Sequence, residues 1–291
     1  MLLGSIEAGG TKFICSVGDE NLTVLDQVRI ETTTPEITLG KVIEYFSQFA
    51  DLDSLSIASF GPLNLDSASP AFGSILNTPK LLWKNVNIMT IIRDALNVPV
   101  FITTDVNGSA VGENLFLKQA GINLHSLVYL TVGTGIGAGI IVNDQILGSN
   151  GHPEVGHIRV IKHPDDADFH GTCPFHDGCL EGMAAGPSLK ARTNIPGECL
   201  ALDDPIWDRL AYYLAQAVGS LNLIIHPARI VFGGSVVNPQ LLSKIKKDYV
   251  QLMNGYVATD HLDDFLIRSC VPNNGSATIG NFALARKLVR V

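Results

Sequence analysis

The segment Ser126–Val142 reads SLVYLTVGTGIGAGIIV. Two apolar runs of the kind that form β-strands flank the glycine-rich residues 133–139. Strand-like runs joined by glycines predict a β-hairpin. A tight glycine turn also exposes backbone N–H groups that a phosphate can approach closely. The segment therefore predicts a hairpin with a candidate phosphate-binding turn.

A dinucleotide-binding motif is the alternative for the same glycines. They match G-x-G-x-x-A, and Glu154 lies twenty-one residues after Gly133. That motif requires a helix directly after the glycines, whereas Ile140–Asp144 has the pattern of a strand followed by a turn. The hairpin is therefore favoured. The sequence also lacks the Gly-x4-Gly-Lys-[Ser/Thr] pattern of P-loop proteins.

The N-terminal residues repeat the hairpin pattern. Apolar runs at Leu2–Ile6 and Phe13–Val17 flank the turn EAGGTK at residues 7–12. Thr11 and Lys12 add a hydroxyl group and a positive charge to this turn. Taken alone, it fits an ordinary hairpin as well as a phosphate-binding turn. The two hairpins together form a weak internal repeat, which predicts two domains of related design.

Asp105 lies where a predicted strand over 98–103 gives way to a predicted helix over 107–120. Functional groups of α/β folds often lie at the carboxyl ends of strands. Asp is also a favoured N-cap of helices, so the sequence leaves both roles open.

Apolar periodicity predicts the remaining elements. A predicted strand over 229–232 runs into Gly233-Gly234-Ser235, a third place where a ligand can approach the backbone. The other predicted elements are a strand over 55–60, helices over 37–49, 86–96, 205–226, 239–253 and 276–289, and a helical stretch over 180–190 that is interrupted at 185–187.

Residues 151–181 carry a candidate metal site. Cys173, His176 and Cys179 form a C-x2-H-x2-C cluster, and His157 stands sixteen residues before the first cysteine. Thiolates and imidazoles in this pattern suit a tetrahedral zinc ion. Four protein ligands leave no open coordination position, which indicates a structural zinc. The competing ligands are interpreted as loop residues; they are His152, His163 and His170.

Composition narrows the class of protein. The chain has 291 residues, of which 46% are hydrophobic, so a large core or two medium cores can form. The net charge of −8 argues against nucleic acid as a main partner. No apolar run approaches twenty residues and no signal peptide is recognisable, so we expect no membrane association. Five cysteines without a disulfide pattern indicate a reducing compartment, and hence a cytoplasmic α/β protein.

Together, the three glycine turns, Asp105 and the His/Cys loop resemble the ROK family of sugar kinases and sugar-responsive repressors. The resemblance covers essentially the whole chain. It implies an α/β fold of two RNase-H-like (actin/hexokinase-type) domains with an interdomain cleft. The small domain would comprise 1–115 plus 275–291, and the large domain 116–274. A homodimer is expected, as is common in the family.

The resemblance also implies roles for individual residues. Asp105 matches the catalytic base, and Glu7 would hold Mg²⁺ through water. The sugar would contact Thr104, Glu154, His157 and Glu181. Zinc would be held by His157, Cys173, His176 and Cys179. ATP would be bound by Gly9, Gly10, Thr11, Lys12, Gly133, Thr134, Gly135, Pro187, Gly233, Gly234, Ser235, Val236, Val237 and Asn238.

Within the family, several features are similar to bacterial fructokinases. These are SFGPL at 59–63, TPK at 78–80 with Trp83, Glu7 itself and the C-x2-H-x2-C pattern at 173–179. Two positions depart from the pattern: Leu82 stands where fructokinases show Gly, and Thr104 where the family has Asn.

The resemblance implies ATP-dependent phosphorylation of a hexose, D-fructose giving fructose 6-phosphate, with structural Zn²⁺ and with Mg²⁺ bound to ATP. One alternative is another hexose: mannose, glucose or N-acetylmannosamine. The other is a sugar sensor without catalytic activity. Family repressors carry a helix-turn-helix segment before the first glycine turn, which begins here at residue 7, so the kinase is favoured.

Overall fold

The computed structural model describes residues 1–148, 151–258 and 260–289. It contains two compact units. Unit 1 comprises Met1–Asn123, Ile146–His152 and Cys270–Val291, and unit 2 comprises Leu124–Gln145 and Pro153–Ser269. The elements in chain order are β1 (Leu2–Ala8), β2 (Lys12–Gly18), β3 (Val24–Glu31), α1 (Pro35–Phe46), β4 (Leu52–Ser59), α2 (Ile88–Leu96), β5 (Val100–Thr104), α3 (Asp105–Gln119), β6 (Ser126–Val132), β7 (Ile136–Val142), β8 (Gln145–Ile146), α4 (Leu180–Ala184), α5 (Gly186–Thr193), α6 (Ile206–Ile225), β9 (Arg229–Gly233), α7 (Pro239–Met253), α8 (Leu262–Phe265), β10 (Leu266–Arg268) and α9 (Ser276–Val289).

The two sheets have the same design. One has the strand order β3-β2-β1-β4-β5, and the other β10-β9-β6-β7-β8. In the first, β1 pairs antiparallel with β2 and parallel with β4, and β4 pairs parallel with β5. In the second, β6 pairs antiparallel with β7 and parallel with β9, and β9 pairs parallel with β10. Each glycine hairpin therefore occupies the equivalent place in its own sheet, as the internal repeat predicts.

In unit 1, α9 packs closely against α3. A Cβ on Gly112 would lie 1.8 Å from the carbonyl oxygen of Ser276, and one on Gly280 would lie 1.9 Å from that of Gly108. Glycine at these positions lets the two helices touch backbone to backbone. The expected boundary between residues 115 and 116 falls inside α3. Because that helix is continuous, unit 1 extends to Asn123.

The core of unit 2 forms around α6. This helix buries Trp207, Leu210, Leu214 and Val218, among others, against the apolar residues of β6, β9 and α7. The break at Ala185, which has extended backbone angles, separates α4 from α5 as the sequence predicts. Among the described residues, no helix has both the length and the apolar character needed to cross a membrane.

Candidate functional site

The glycine turn between β6 and β7 is held from two sides. The Gly133 N–H donates to the Gly135 carbonyl at 2.9 Å, and the Gly186 N–H donates to the Gly133 carbonyl at 2.8 Å. The Glu181 carboxylate accepts from the Ile136 N–H at 2.9 Å. A Cβ on Gly135 would lie 2.7 Å from the same carboxylate oxygen. The Gly133 N–H is therefore already used, and Thr134 and Gly135 supply the donors that remain in this turn.

A cavity of about 550 Å³ lies beside this turn, within unit 2. Its volume falls in the usual range for small-molecule sites. Its walls are mainly apolar and include Leu189, Leu200 and Trp207, with Lys190 and Glu198 as charged residues. The predicted ATP-binding residues that line it are Gly133, Thr134, Pro187, Ser235, Val236 and Asn238.

Three of the residues at and after the end of β9 that are predicted to bind ATP do not line that cavity. A Cβ on Gly233 would lie 1.9 Å from the Tyr129 hydroxyl oxygen, and Gly234 has φ +82° with Val132 against it. Val237 is buried in the core. These residues shape the turn after β9, and their contact with ATP stays a prediction. Beyond them, Asn238 caps α7 by accepting from the Leu241 N–H at 2.8 Å.

The first glycine turn, in unit 1, is also closed by its own hydrogen bonds. The Gly9 N–H donates to the Lys12 carbonyl at 3.0 Å, and the Gly9 carbonyl accepts from the Thr32 hydroxyl at 2.8 Å. Gly9 thus fixes the turn instead of presenting its N–H to a phosphate. Gly10 is half-buried, while Thr11 and Lys12 are exposed.

Thr104, and not Asp105, is the N-cap of α3. The Thr104 hydroxyl accepts from the Asn107 N–H at 3.3 Å, and Thr104 is buried. The structure gives Thr104 a capping role where the resemblance implied a sugar contact. Asp105 is the first residue of the helix, its side chain is exposed, and one oxygen accepts from the Val106 N–H at 2.9 Å. The capping alternative for Asp105 is therefore wrong.

Glu7, on β1, forms a second carboxylate near Asp105. Burial raises the pKa of Glu7; hydrogen bonds from Thr278 oppose this effect, and the charge of Asp105 adds to it. Thr278 of α9 donates its hydroxyl to the Glu7 carboxylate. Two interacting carboxylates favour a hard divalent cation, because it compensates both their repulsion and the desolvation of Glu7. This oxygen donor set fits Mg²⁺, which keeps part of its water shell.

The four predicted zinc ligands come together in unit 2. The ligand atoms of His157, Cys173, His176 and Cys179 all lie within 4.8 Å of one another. The Cys173 sulfur is 3.9 Å from His157 Nδ1 and 3.7 Å from His176 Nδ1, and the Cys179 sulfur is 3.8 Å from His157 Nδ1. Ordinary Zn–S and Zn–N bond lengths place tetrahedral S and N ligands about 3.6 Å apart. The cluster therefore fits a zinc ion with a slight contraction.

Local structure orients these ligands. Cys179 is the N-cap of α4, and its sulfur accepts from the Gly182 N–H at 3.4 Å. Burial raises the pKa of the Cys179 thiol to about 11, and the neighbouring Cys173 and Glu181 contribute to this rise. A dication would offset these effects and hold Cys179 as a thiolate. Nδ1 is therefore the nitrogen of His157 that is placed to bind the metal, since it faces both sulfurs.

The competing histidines lie outside this cluster. His170 contacts Asp177 at 3.1 Å, the His163 ring packs edge-on against Tyr212, and His152 lies 3.4 Å from the Leu63 N–H. Their interpretation as loop residues agrees with this placement. Glu154 is exposed and stands directly before the short 3-10 turn that carries His157.

The sequence model of the ROK family matches residues 3–288. The chain belongs to the ROK family. It is 47% identical to a fructokinase of Streptococcus mutans over 291 residues, which cover 99% of this chain and 98% of that protein. It is 46% identical to a fructokinase of Lactococcus lactis over 287 residues, which cover 98% of this chain and 97% of that protein.

A solved structure of a ROK hexokinase from Thermus thermophilus matches this fold with a TM-score of 0.79. The match covers 100% of this chain and 99% of that chain, at 24% sequence identity. It confirms the predicted fold class, a two-domain α/β fold of the sugar kinase type.

Residues 151–181, which carry the candidate metal site, are held in place by a buried aspartate that the sequence analysis missed. Asp166 is 2% exposed and accepts from Arg192 at 3.1 and 2.9 Å, from Arg209 at 3.1 Å and from the Tyr213 hydroxyl at 2.8 Å. Arg192 belongs to α5, whose first residues line the cavity, and its guanidinium also lies 4.0 Å from the centre of the Phe169 ring. This buried ion pair ties residues 164–169 to α5 and α6.

Proposed function

We propose that this ROK-family protein phosphorylates D-fructose with ATP to give fructose 6-phosphate. Near-full-length identity of 46–47% to the two fructokinases supports the substrate. The observation that carries the catalytic role is the position of Asp105. Its carboxylate is exposed, does not cap α3, and lies close enough to Glu7 to raise the pKa of that residue.

In the proposed reaction, the oxygen of the sugar 6-hydroxyl attacks the γ-phosphorus of ATP. The bond from that phosphorus to the β–γ bridging oxygen breaks, and ADP leaves with the electron pair. Asp105 accepts the hydroxyl proton. An ordinary Asp has a pKa of about 3.9, so it is ionised at neutral pH, and a weak base suits a loose transition state in which proton transfer is late.

Each unit supplies part of the chemistry. In unit 1, Gly10, Thr11 and Lys12 present donors and a positive charge to phosphate oxygens, and Glu7 holds Mg²⁺ through water. Mg²⁺ supplies charge neutralisation of the phosphates when bound. In unit 2, Thr134, Gly135 and the cavity residues bind ATP, with Gly133, Gly234 and Glu181 holding their turns in shape.

Sugar recognition falls to Glu154 and His157, with Glu181 accepting through the oxygen that does not bind Ile136. Zinc held by His157, Cys173, His176 and Cys179 fixes the His157 ring and so orients its free nitrogen. A homodimer and a cytoplasmic location, both common expectations for such kinases, are part of the same proposal.

A coupled assay of ADP release tests the substrate. Fructose, mannose, glucose and N-acetylmannosamine are compared at equal ATP. We expect the highest kcat/KM with fructose. A higher kcat/KM for another hexose would contradict fructose as the preferred substrate but not the kinase activity. No ADP release with any of the four sugars would contradict the kinase activity itself.

A further inference from the structure

Lys80 lies over the first glycine turn. It belongs to the segment between β4 and α2, seventy residues after Gly10 in the chain. A Cβ on Gly10 would lie 3.0 Å from Lys80 Cε. The side chain of Lys80 therefore crosses the face of the turn, and its ammonium group stands within one bond of that contact.

The backbone of Lys80 is fixed by buried neighbours. Its N–H donates to the hydroxyl of the buried Thr78 at 3.3 Å, and its carbonyl accepts from the Trp83 N–H at 2.8 Å. Trp83 is 1% exposed, its indole N–H donates to the Thr33 carbonyl at 2.9 Å, and its ring centre lies 5.3 Å from that of Phe13. Phe13 belongs to β2, the strand that leaves the turn. Lys80 and the turn are therefore held by the same core.

Within the part of the chain that the structure describes, the Lys80 ammonium has no protein anion to neutralise it. Across residues 1–148, 151–258 and 260–289, it makes no ion pair and no side-chain hydrogen bond. Other half-buried lysines do pair: Lys162 with Asp177 at 3.3 Å, and Lys246 with Asp263 at 2.7 Å. An unpaired ammonium over a glycine turn is a site for an anion, and a compact ammonium with three donors suits phosphate oxygens.

We propose that Lys80 contacts the phosphoryl group while it is transferred. This inference rests on the proposed kinase function. As the sugar oxygen bonds to phosphorus and the bond to ADP breaks, negative charge spreads over the three phosphoryl oxygens. Lys80 stabilises that charge from the side of the turn, together with Lys12. The proton passes to Asp105, so Lys80 stays protonated throughout. A hexose carries no negative charge with which the Lys80 ammonium could pair, so this role differs from sugar recognition.

Three variants test the role of Lys80. Lys80→Met keeps the length of the side chain and removes its charge, and Lys80→Arg keeps the charge. Lys84→Met is the matched control, because Lys84 is exposed and follows the same short 3-10 turn. The measurements are kcat and KM with ATP and fructose, and fructose binding by calorimetry.

Loss of a preorganised charge at the transferred group lowers kcat by about 10²–10³-fold. We expect that loss in Lys80→Met with fructose affinity unchanged, a smaller loss in Lys80→Arg, and wild-type values in Lys84→Met. Wild-type kcat in Lys80→Met would overturn the inference. A fall in fructose affinity that matches the fall in kcat would overturn it too, because Lys80 would then serve the sugar or the fold.

The wild-type protein separates this inference from the proposed function. If it turns over fructose, the variants test Lys80 alone. If it turns over no hexose, the proposed function fails, and binding of tripolyphosphate then tests the anion site. In that case Lys80→Met should bind tripolyphosphate at least 10-fold more weakly than both the wild type and Lys84→Met. Equal binding would overturn the site.

Discussion

Asp166→Asn should destabilise the protein strongly, whereas Asp165→Asn should not. The two aspartates are neighbours, but the Asp166 side chain is 2% exposed and that of Asp165 is 64% exposed. The Arg192 side chain is only 4% exposed. Asparagine at 166 would keep one acceptor oxygen and turn an NH₂ group toward donors of Arg192, Arg209 or Tyr213. The guanidinium of Arg192 would then be buried without a counter-charge.

The expected magnitude follows from that burial. Breaking a buried pair by removing one partner costs roughly 3–5 kcal/mol. An exposed pair, such as that of Asp165 with Arg209 at 3.6 Å, contributes roughly 0–1 kcal/mol. At an unfolding entropy of about 2.1 cal/mol/K per residue, about 3–5 kcal/mol corresponds to a fall in Tm of roughly 5–8 °C for this chain of 291 residues. Scanning calorimetry of both variants and the wild type measures this difference.

The pH dependence gives a second check on Asp166. Burial alone would raise the pKa of Asp166, but hydrogen bonds from Arg192 and Tyr213 and the arginine charges outweigh it and hold the pKa below its usual value. A lowered carboxyl pKa contributes stability that is present above the unfolded pKa, about 3.9, and is lost only as pH falls through the folded pKa. The deficit of Asp166→Asn should therefore be constant from pH 8 to pH 5. Equal Tm values for the two variants, or a deficit that disappears between pH 7 and pH 5, would show that Asp166 does not stabilise the fold through its ion pair with Arg192.

Three further predictions concern the glycine turn, the zinc cluster and Glu7. Gly135→Ala would place a methyl group 2.7 Å from the Glu181 carboxylate, and the hydrogen bond of that carboxylate to the Ile136 N–H would be lost. We therefore expect the KM for ATP to rise about 10-fold. The control Gly40→Ala, whose methyl group meets no atom within 4 Å, should keep the wild-type KM, and an unchanged KM in Gly135→Ala would contradict this prediction. We expect elemental analysis to find one zinc ion per chain in the wild type and in Cys199→Ser, a change at an exposed cysteine, and none in Cys179→Ser, which should also melt at a lower temperature. Equal zinc contents in the three proteins would argue against the cluster. Burial raises the pKa of Glu7, so the stability that its protonated form contributes is present below the unfolded pKa and is lost as pH rises through the folded pKa. Glu7→Gln should therefore be more stable than the wild type at pH 8 in EDTA, with a smaller difference at pH 5. Chemical denaturation measures both differences. A Glu7→Gln protein less stable than the wild type at pH 8 would contradict the raised pKa of Glu7.

Much of the fold could be predicted because local chemistry encodes it. Glycine turns between apolar runs predict hairpins, and apolar periodicity predicts helices. The helix predicted over 205–226, for example, is observed as Ile206–Ile225. The clustering of the four His and Cys side chains could be predicted because three of them lie within seven residues of sequence, 173–179. The helix break at 185–187 could be predicted because Gly and Pro disfavour a helix interior.

Other features could not be predicted because the same residues serve two purposes. Thr and Asp are both favoured N-caps, so the sequence could not decide that Thr104, and not Asp105, caps α3. Gly-Gly after a strand suits close packing as well as ligand approach, and Gly233 packs against Tyr129.

Long-range contacts leave no local pattern. Glu7 and Thr278 are 271 residues apart, and Asp166 and Tyr213 are 47 apart. Nor does any period in the sequence bring Lys80 to Gly10. These contacts depend on which strands and helices become neighbours, so only the folded structure reveals them.

The most direct test of the account is turnover and sugar binding by Asp105→Asn. Asparagine keeps the shape of the side chain and removes its ability to accept the hydroxyl proton. We expect kcat for fructose phosphorylation to fall by about 10²–10⁴-fold, the usual contribution of a general base, while calorimetry finds fructose affinity within a factor of about two of the wild type. A wild-type kcat in Asp105→Asn would contradict the assignment of Asp105 as the base and the proposed mechanism of phosphoryl transfer.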